Sequence, residues 1–258
     1  MLNPFSLEGK TALVTGASRG IGLAIARDMH QAGANMILAA RSKDKLDQLA
    51  REMNGRAIEL DMMSSASIRR AAEEAFEGGG VDILANVAGM NIRRRFESYT
   101  REEYDSIMQT NLHGLAEFTQ LVGARMIERG KGGKIINIGS FTTFVGLPYV
   151  SVYAMTKGAV GQLTKALAAE WAPYNIQVNC IAPGFILTDL NRDMWQSAEM
   201  DQWRKGVQAI DRLGKPEDLG PVAVFLASPG ADYITGQVIA VDGGATTTAK
   251  WPVPAPRI

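Results

Sequence analysis

The chain has 258 residues, 46% of them hydrophobic, enough for a continuous core in one α/β domain of ordinary length. Lys+Arg and Asp+Glu balance at 27 each, so there is no excess charge to draw in nucleic acid or an anionic membrane surface. Cys180 is the only cysteine and His30 and His113 the only histidines, which excludes an intrachain disulfide and a Cys/His metal cluster and points to a reducing compartment, the cytoplasm.

Met1–Lys10 lacks the charged head and apolar stretch of a secretory signal, and no apolar run is long enough to span a bilayer. Thr11–Thr15 (TALVT) is the first of several short, near-continuously apolar runs. Asn35–Ala40, Arg56–Leu60, Asp82–Asn86, Lys134–Ile138, Gln177–Ile181 and Val238–Val241 follow it. Runs of that length and pattern are strands whose sheet is covered on both faces. Between them the spacing predicts helices over Gly20–Gln31, Ser64–Phe76, Arg101–Arg129, Val152–Trp171 and Pro216–Leu226, with Ser64 or Ser65 as a cap and Pro216 in a first turn. Strand–helix alternation predicts α/β architecture: a Rossmann-type, doubly wound parallel sheet of about seven strands with helices on both faces. With no internal repeat or low-complexity linker, 1–258 reads as a single dinucleotide-binding catalytic domain. The proline-bearing tail Trp251–Ile258 is expected to be an extended arm or a loose end.

The first strand runs into Gly16-Ala17-Ser18-Arg19-Gly20-Ile21-Gly22. Gly16 suits the tight turn, Gly20 lets a phosphate approach the backbone, and Gly22 lets the helix pack close to the strand. Glycine clusters often serve only turns, but here a strand precedes and a helix follows, which is the context a dinucleotide site requires. About twenty positions on, an acid would hold the ribose 2′-hydroxyl of NAD. The chain instead carries Ala40-Arg41-Ser42. Arg41, with Arg19 in the turn, can bind a 2′-phosphate, so the cofactor expected is NADP(H).

Tyr153 and Lys157 stand four residues apart at the start of the Val152–Trp171 helix and so share one face. An ammonium there would stabilise the phenolate of a tyrosine whose ordinary pKa is about 10. With this pair in view, the chain resembles the short-chain dehydrogenase/reductase family from about Leu7 to Gly244. The motifs are Thr15–Gly22, Asn86-Val87-Ala88-Gly89, Asn111, Ser140, Tyr153–Lys157 and Pro183-Gly184. The resemblance implies a ketone/alcohol oxidoreductase in which Tyr153 is general acid and base. Lys157 would bind the nicotinamide ribose and lower the tyrosine pKa, Ser140 would bond the substrate oxygen, and Asn111 would hold a relay water beside Lys157. It also implies Asp61 and Met62 at the adenine, Asn86, Ala88 and Gly89 where the fourth strand meets the cofactor, and Ile186 and Thr188, after Pro183-Gly184, at the nicotinamide carboxamide. Val87 stands where the family carries a second asparagine, which removes a polar anchor between strands.

Substrate contacts are expected from Met90–Phe96, Phe141–Tyr149 and Phe185–Trp203, the last within a candidate lid over 185–210. Asn91–Arg94 and Gly133–Ile138 resemble the sugar-acid dehydrogenases of the family, and Arg93, Arg94 and Arg95 offer a clamp for a carboxylate. The tropinone reductases and the 3-oxoacyl-carrier-protein reductases are the other resemblances. The family resemblance implies a homotetramer built on the Arg101–Arg129 and Val152–Trp171 helices, where Ala159, Gly161, Ala166, Ala168 and Ala169 would allow close approach or else face the subunit's own sheet. A non-catalytic NADPH sensor is the competing reading, and it gives no chemical reason for Asn111, Ser140, Tyr153 and Lys157 to occur together.

Overall fold

Each apolar run read as a strand forms one in the computed structural model, which describes residues 3–189 and 191–249. The strands are β1 (Thr11–Thr15), β2 (Asn35–Ala40), β3 (Arg56–Glu59), β4 (Ile83–Asn86), β5 (Gly133–Ile138), β6 (Ile176–Pro183) and β7 (Val238–Val241). They build one 7-stranded sheet in the order β3-β2-β1-β4-β5-β6-β7, each neighbouring pair parallel. The chain reverses its direction of travel across the sheet between β1 and β4. That switch point opens a crevice beyond the carboxyl ends of the strands, where ligands bind in open α/β sheets.

The helices are α1 (Gly20–Gln31), α2 (Lys43–Glu52), α3 (Ser65–Ala75), α4 (Arg101–Met108), α5 (Gly114–Arg129), α6 (Ser151–Trp171), α7 (Arg192–Trp195), α8 (Ala198–Val207) and α9 (Gly220–Ala227). Ile25 of α1, Leu46 and Leu49 of α2 and Leu226 of α9 pack in one core with Val14 and Leu38. Ile68 of α3, Phe118 and Val122 of α5 and Ala168 of α6 pack in a second core with Leu13 and Leu84. Successive strand residues point to opposite faces, so one sheet feeds both layers.

Three elements differ from the sequence reading. Helix α2 was not predicted, because KDKLDQLARE is mostly charged and buries only Leu46, Leu49 and Ala50. The single helix expected over Arg101–Arg129 is interrupted by a π-turn at Gln109–His113. Pro216 starts a separate 3-10 turn ahead of α9. Elsewhere the expectation is refined: Ser64 is the cap of α3, its hydroxyl accepting from the Ser67 N–H. On α6, Gly161 and Ala168 are buried toward their own sheet while Ala166 and Ala169 are exposed. Trp251–Ile258 lies outside the described residues.

Polar groups cross the core at the ends of β4 and β5. Asn86 Nδ2 donates to Thr119 Oγ1 at 2.8 Å and to Asn137 Oδ1 at 2.9 Å, and Asn137 Nδ2 donates to Thr164 Oγ1 at 3.0 Å. The chain of bonds ties α5 to α6 through two strands. At the β1–β4 boundary the Thr15 hydroxyl accepts from the N–H groups of Val87 (2.9 Å) and Ala88 (3.1 Å), so an anchor exists there although Val87 has no polar side chain. Asn137→Ala would strip partners from both Asn86 and Thr164 inside the core. We expect it to cost about 2–3 kcal/mol in urea denaturation, since each buried polar group left unmatched costs roughly 1–3 kcal/mol.

Candidate active site

The glycine turn does what its spacing implies. Gly16 has φ +66°, and a Cβ on it would come within 2.9 Å of the Ala88 Cα, so only glycine lets β1 and the loop after β4 close on each other. A side chain on Gly22 would collide with the Gly16 carbonyl. Gly20 faces open space, its nearest neighbour being Thr188 Cγ2 at 3.9 Å from where a Cβ would stand. The turn and the loop after β6 therefore converge around a gap. Helix α1 begins there with no side-chain cap and no acid in its first turn, leaving backbone N–H groups available to an anion.

Arg19 and Arg41 are both exposed at this end of the sheet, and neither enters an ion pair among the described residues. Ser42 is an exposed N-cap of α2 whose side chain makes no cap bond. With arginine rather than an acid after β2, the residues present fit a 2′-phosphorylated dinucleotide. Asp61 accepts from the Met63 N–H through Oδ1 (3.0 Å), and buried Met62 accepts from Gln109 Nε2 (3.1 Å) through its carbonyl. Gly184 packs against β7, a Cβ there falling 2.5 Å from Asp242 Cα. Ile186 is buried and bridges to Gly214. The Asn86 side chain is buried in the interior network, which leaves its main chain at the end of β4 to face a cofactor.

Ser140 leaves the end of β5 and caps a 3-10 turn at Phe141–Thr143. Its Oγ accepts from the Thr142 N–H at 3.1 Å, which leaves its own proton to donate. Tyr153 and Lys157 come from the first turns of α6. Lys157 is 3% exposed; its Nζ donates to the Ile138 carbonyl at 2.7 Å and lies 5.6 Å from the Tyr153 ring centre. Gly89 lies between it and Asn111: a Cβ there would press on Asn111 Oδ1 at 3.3 Å and meet Nζ in ordinary contact at 3.7 Å. Asn111 sits fully buried in the π-turn. Its side chain pairs with the Met90 main chain in both directions, each bond 2.8 Å, and donates to Thr156 Oγ1 at 3.3 Å. That side chain is thus occupied by the wall of the site.

Burial pulls the Lys157 ammonium down to about 8. Cys180, buried nearby, is pushed up to about 11 by burial, with the Lys157 charge acting the other way. Tyr153 stands above its ordinary value: burial outweighs the lowering effect of the Ser140 hydroxyl. In the cofactor-free protein the phenol is therefore raised, not lowered, because desolvation is the larger effect.

The mouth of the site is aromatic. Phe141, next to Ser140, stacks on Phe185 at 5.1 Å, and Phe185 contacts Trp195 at 5.5 Å and Trp203 at 5.1 Å. Helices α7 and α8 are thereby seated on the turn that follows Ser140. The arginine run divides by role. Arg94 forks onto Glu103 (2.6 and 3.2 Å) and Arg95 pairs with Glu97 (2.8 Å), while exposed Arg93 has no ion-pair partner among the described residues. A cavity of about 250 Å³ among Phe185, Ile186, Gln208, Ile210 and Asp242 contains none of Asn111, Ser140, Tyr153 or Lys157. The roles of Thr15 and of the Phe141–Phe185 pair were not read from the sequence, since both contacts join segments far apart in the chain.

A family model described as Enoyl-(Acyl carrier protein) reductase matches residues 16–246. The chain is 42% identical over 245 residues to a 2-dehydro-3-deoxy-D-gluconate 5-dehydrogenase of Bacillus subtilis (strain 168), covering 93% of this chain and 96% of the relative. It is 36% identical over 250 residues to a gluconate 5-dehydrogenase of Gluconobacter oxydans (strain 621H), covering 95% and 97%. A crystal structure of a gluconate 5-dehydrogenase from Burkholderia cenocepacia J2315, in complex with NADP and tartrate, superposes with a TM-score of 0.92 at 38% identity, over 95% of this chain and 98% of that one.

Burying Lys157 makes stability depend on pH. Its folded value lies below the ordinary 10.5, so the cost of burying the charged form is present at neutral pH and is relieved as the pH rises from about 8 toward 10.5. In cofactor-free protein, the stability of wild type minus that of Lys157→Met should rise across this window in urea denaturation at constant ionic strength. A flat difference would show that Nζ is not desolvated.

Proposed function

The chain belongs to the short-chain dehydrogenase/reductase family, and from that premise we propose that it interconverts a ketone and a secondary alcohol with NADP(H), acting on a sugar acid such as gluconate or its 5-keto form. The observation that carries the reading is the meeting of Ser140, Tyr153 and Lys157 beside a glycine turn with room for a pyrophosphate. When bound, NADP(H) supplies or accepts the hydride.

The protein's own groups do the rest. Tyr153, protonated in the free protein, gives its proton to the carbonyl oxygen in reduction and takes one back in oxidation. Ser140 donates its free proton to the same oxygen and holds the carbonyl in line. Lys157 holds the nicotinamide ribose, and Asn111, across the Gly89 gap, serves the proton relay and fixes Met90. The α1 N-terminus with Ser18, Gly20 and Ile21 receives the pyrophosphate, Arg19, Arg41 and Ser42 the 2′-phosphate, Asp61 and Met62 the adenine, and Ile186 and Thr188 the carboxamide.

For the substrate, the support is chemical. The named relatives act on sugar acids, the Burkholderia structure holds tartrate, and Arg93, in the loop after β4, has no ion-pair partner among the described residues. Arg94 is already neutralised by Glu103, so the carboxylate partner is Arg93. We further read residues 185–210 as a lid hinged where Leu187 N–H meets the Gly214 carbonyl (2.8 Å) and Gly214 N–H the Phe185 carbonyl (2.9 Å). The same reading makes the chain one catalytic domain, working as a homotetramer in the cytoplasm, which accords with a lone buried cysteine and the exposed small residues on α6. No helix among the described residues is long and apolar enough to cross a membrane.

Two measurements test the assignment. Arg41→Asp should weaken NADPH binding about 10- to 100-fold and leave NADH nearly unchanged, since a charge-assisted bond is worth roughly 1.5–3 kcal/mol. Equal losses for both cofactors would remove the 2′-phosphate role. The second follows NADPH oxidation and NADP⁺ reduction against keto-sugar acids, cyclic ketones and β-ketoesters. Turnover should be strongest on a sugar acid, vanish in Tyr153→Phe with NADPH still bound, and show a KM raised about tenfold in Arg93→Ala, the loss of one charge-assisted contact. A preference for β-ketoesters would move the substrate to the acyl class.

A further inference from the structure

We propose that Thr143 is a positioning residue that locks Ser140 to the helix carrying Tyr153 and Lys157. The inference rests on the roles assigned above to those residues. Ser140 arrives on the end of β5, whereas Tyr153 and Lys157 arrive on α6, and the exposed segment 144–149 lies between them. Proton transfer and carbonyl alignment require the hydroxyls of Ser140 and Tyr153 to address one substrate oxygen, so the two elements need a tie close to that point.

Thr143 supplies it with a single atom. Its Oγ1 accepts from the Ser140 N–H at 3.1 Å and donates to the Lys157 carbonyl at 3.1 Å. Both functions of the hydroxyl are used, so its orientation is set from both sides. The side chain is seated in a slot opened by two glycines. A Cβ on Gly139 would come within 2.8 Å of Thr143 Oγ1, and a Cβ on Gly161 within 2.6 Å of its Cγ2. Gly161, which the sequence offered to a helix–helix contact, serves this slot instead. The other hydrogen bonds between β5 and α6 lie deeper: Lys157 Nζ to the Ile138 carbonyl, and Asn137 to Thr164. Of these ties Thr143 is the one that bonds Ser140 itself, and among the described residues its hydroxyl bonds neither Tyr153 Oη nor the glycine turn. It acts through Ser140 and α6.

The test compares Thr143→Val, which keeps the shape and loses both bonds, with Thr143→Ser, which keeps the hydroxyl and loses the methyl. With NADPH and the ketone turned over best, Thr143→Val should lower kcat about tenfold, with the NADPH Kd by fluorescence titration within about twofold of wild type, and Thr143→Ser should stay within about threefold in kcat. The inference is overturned if Thr143→Val keeps wild-type kcat, if Thr143→Ser falls as far as Thr143→Val, or if kcat and NADPH affinity fall together. Should Thr143→Val fail to fold by circular dichroism, Thr143→Ala against Thr143→Ser makes the same comparison of hydroxyl with none. Tyr153→Phe in the same assay separates the two levels. Turnover in Tyr153→Phe would sink the catalytic assignment itself, whereas an inactive Tyr153→Phe beside a normal Thr143→Val would sink only the role of Thr143.

Discussion

The site is organised around an ammonium held out of water. Lys157 is 3% exposed, and its Nζ has a single main-chain acceptor, the Ile138 carbonyl at 2.7 Å. An ammonium offers three donors, so the remaining capacity points toward whatever enters the crevice. The surroundings are arranged for this. Gly89 has no side chain to block the approach, Gly139 lets Cys180 and Thr143 close in from either side, and the thiol of Cys180 stays protonated because burial raises it. A desolvated cation without a partner is unfavourable, and that is the condition under which ribose hydroxyls and a phenolate bind it most strongly. The raised phenol of Tyr153 belongs to the same balance. Burial acts on both groups, lowering the Lys157 ammonium to about 8 and raising the Tyr153 phenol, and hydrogen bonds and positive charge from a bound cofactor would favour the phenolate.

Holding such a group requires a rigid frame, and the frame is polar where the sheet meets the site. The chain from Thr119 through Asn86 and Asn137 to Thr164 crosses two strands and reaches helices α5 and α6. One step away, the π-turn at Gln109–His113 turns Asn111 inward, where it pairs with both main-chain groups of Met90. A regular helix over Arg101–Arg129 would place residue 111 differently relative to the turns on either side, because a π-turn inserts one residue into the ladder. The irregularity is thus what brings an asparagine from a long helix to the loop after β4. Buried networks of this sort are costly when incomplete and specifying when complete.

The seven strands were legible because both faces of the sheet are covered, which writes most of each strand as a short apolar run. Helix α2 escaped because its inward stripe is only Leu46, Leu49 and Ala50 among charged residues. The glycine turn, Tyr153 and Lys157 were legible because their geometry is local: a turn followed by a helix, and a spacing of one helical turn. Ser140 and Asn111 were readable only through resemblance to a family, since nothing within a few residues of either marks it. The hydrogen bonds of Thr15 and Thr143 carried no readable signal. Their hydroxyls bond residues 72 and 14 positions away, and such contacts exist only after the sheet has formed. The arginine run shows the opposite limit. Three adjacent cations look alike in sequence, and only the placement of Glu103 and Glu97 separates the spent Arg94 and Arg95 from Arg93.

That separation bears on how charge is distributed over the two ends of the crevice. At the glycine turn, Arg19 and Arg41 lie exposed beside a helix N-terminus that lacks an acidic first turn. Beyond β4, Arg93 lies exposed with its neighbours neutralised. The chain as a whole has no net charge, so these cations do not reflect a basic surface. They are local excesses at the places where a 2′-phosphate and a substrate carboxylate would each need one. Between them, the crevice holds Lys157 buried, its ammonium lowered to about 8. On the proposed reading, a dinucleotide with its 2′-phosphate and an acidic substrate would share one crevice, each with an exposed guanidinium at its own end, and the hydroxyls of Ser140 and Tyr153 would stand where the two meet.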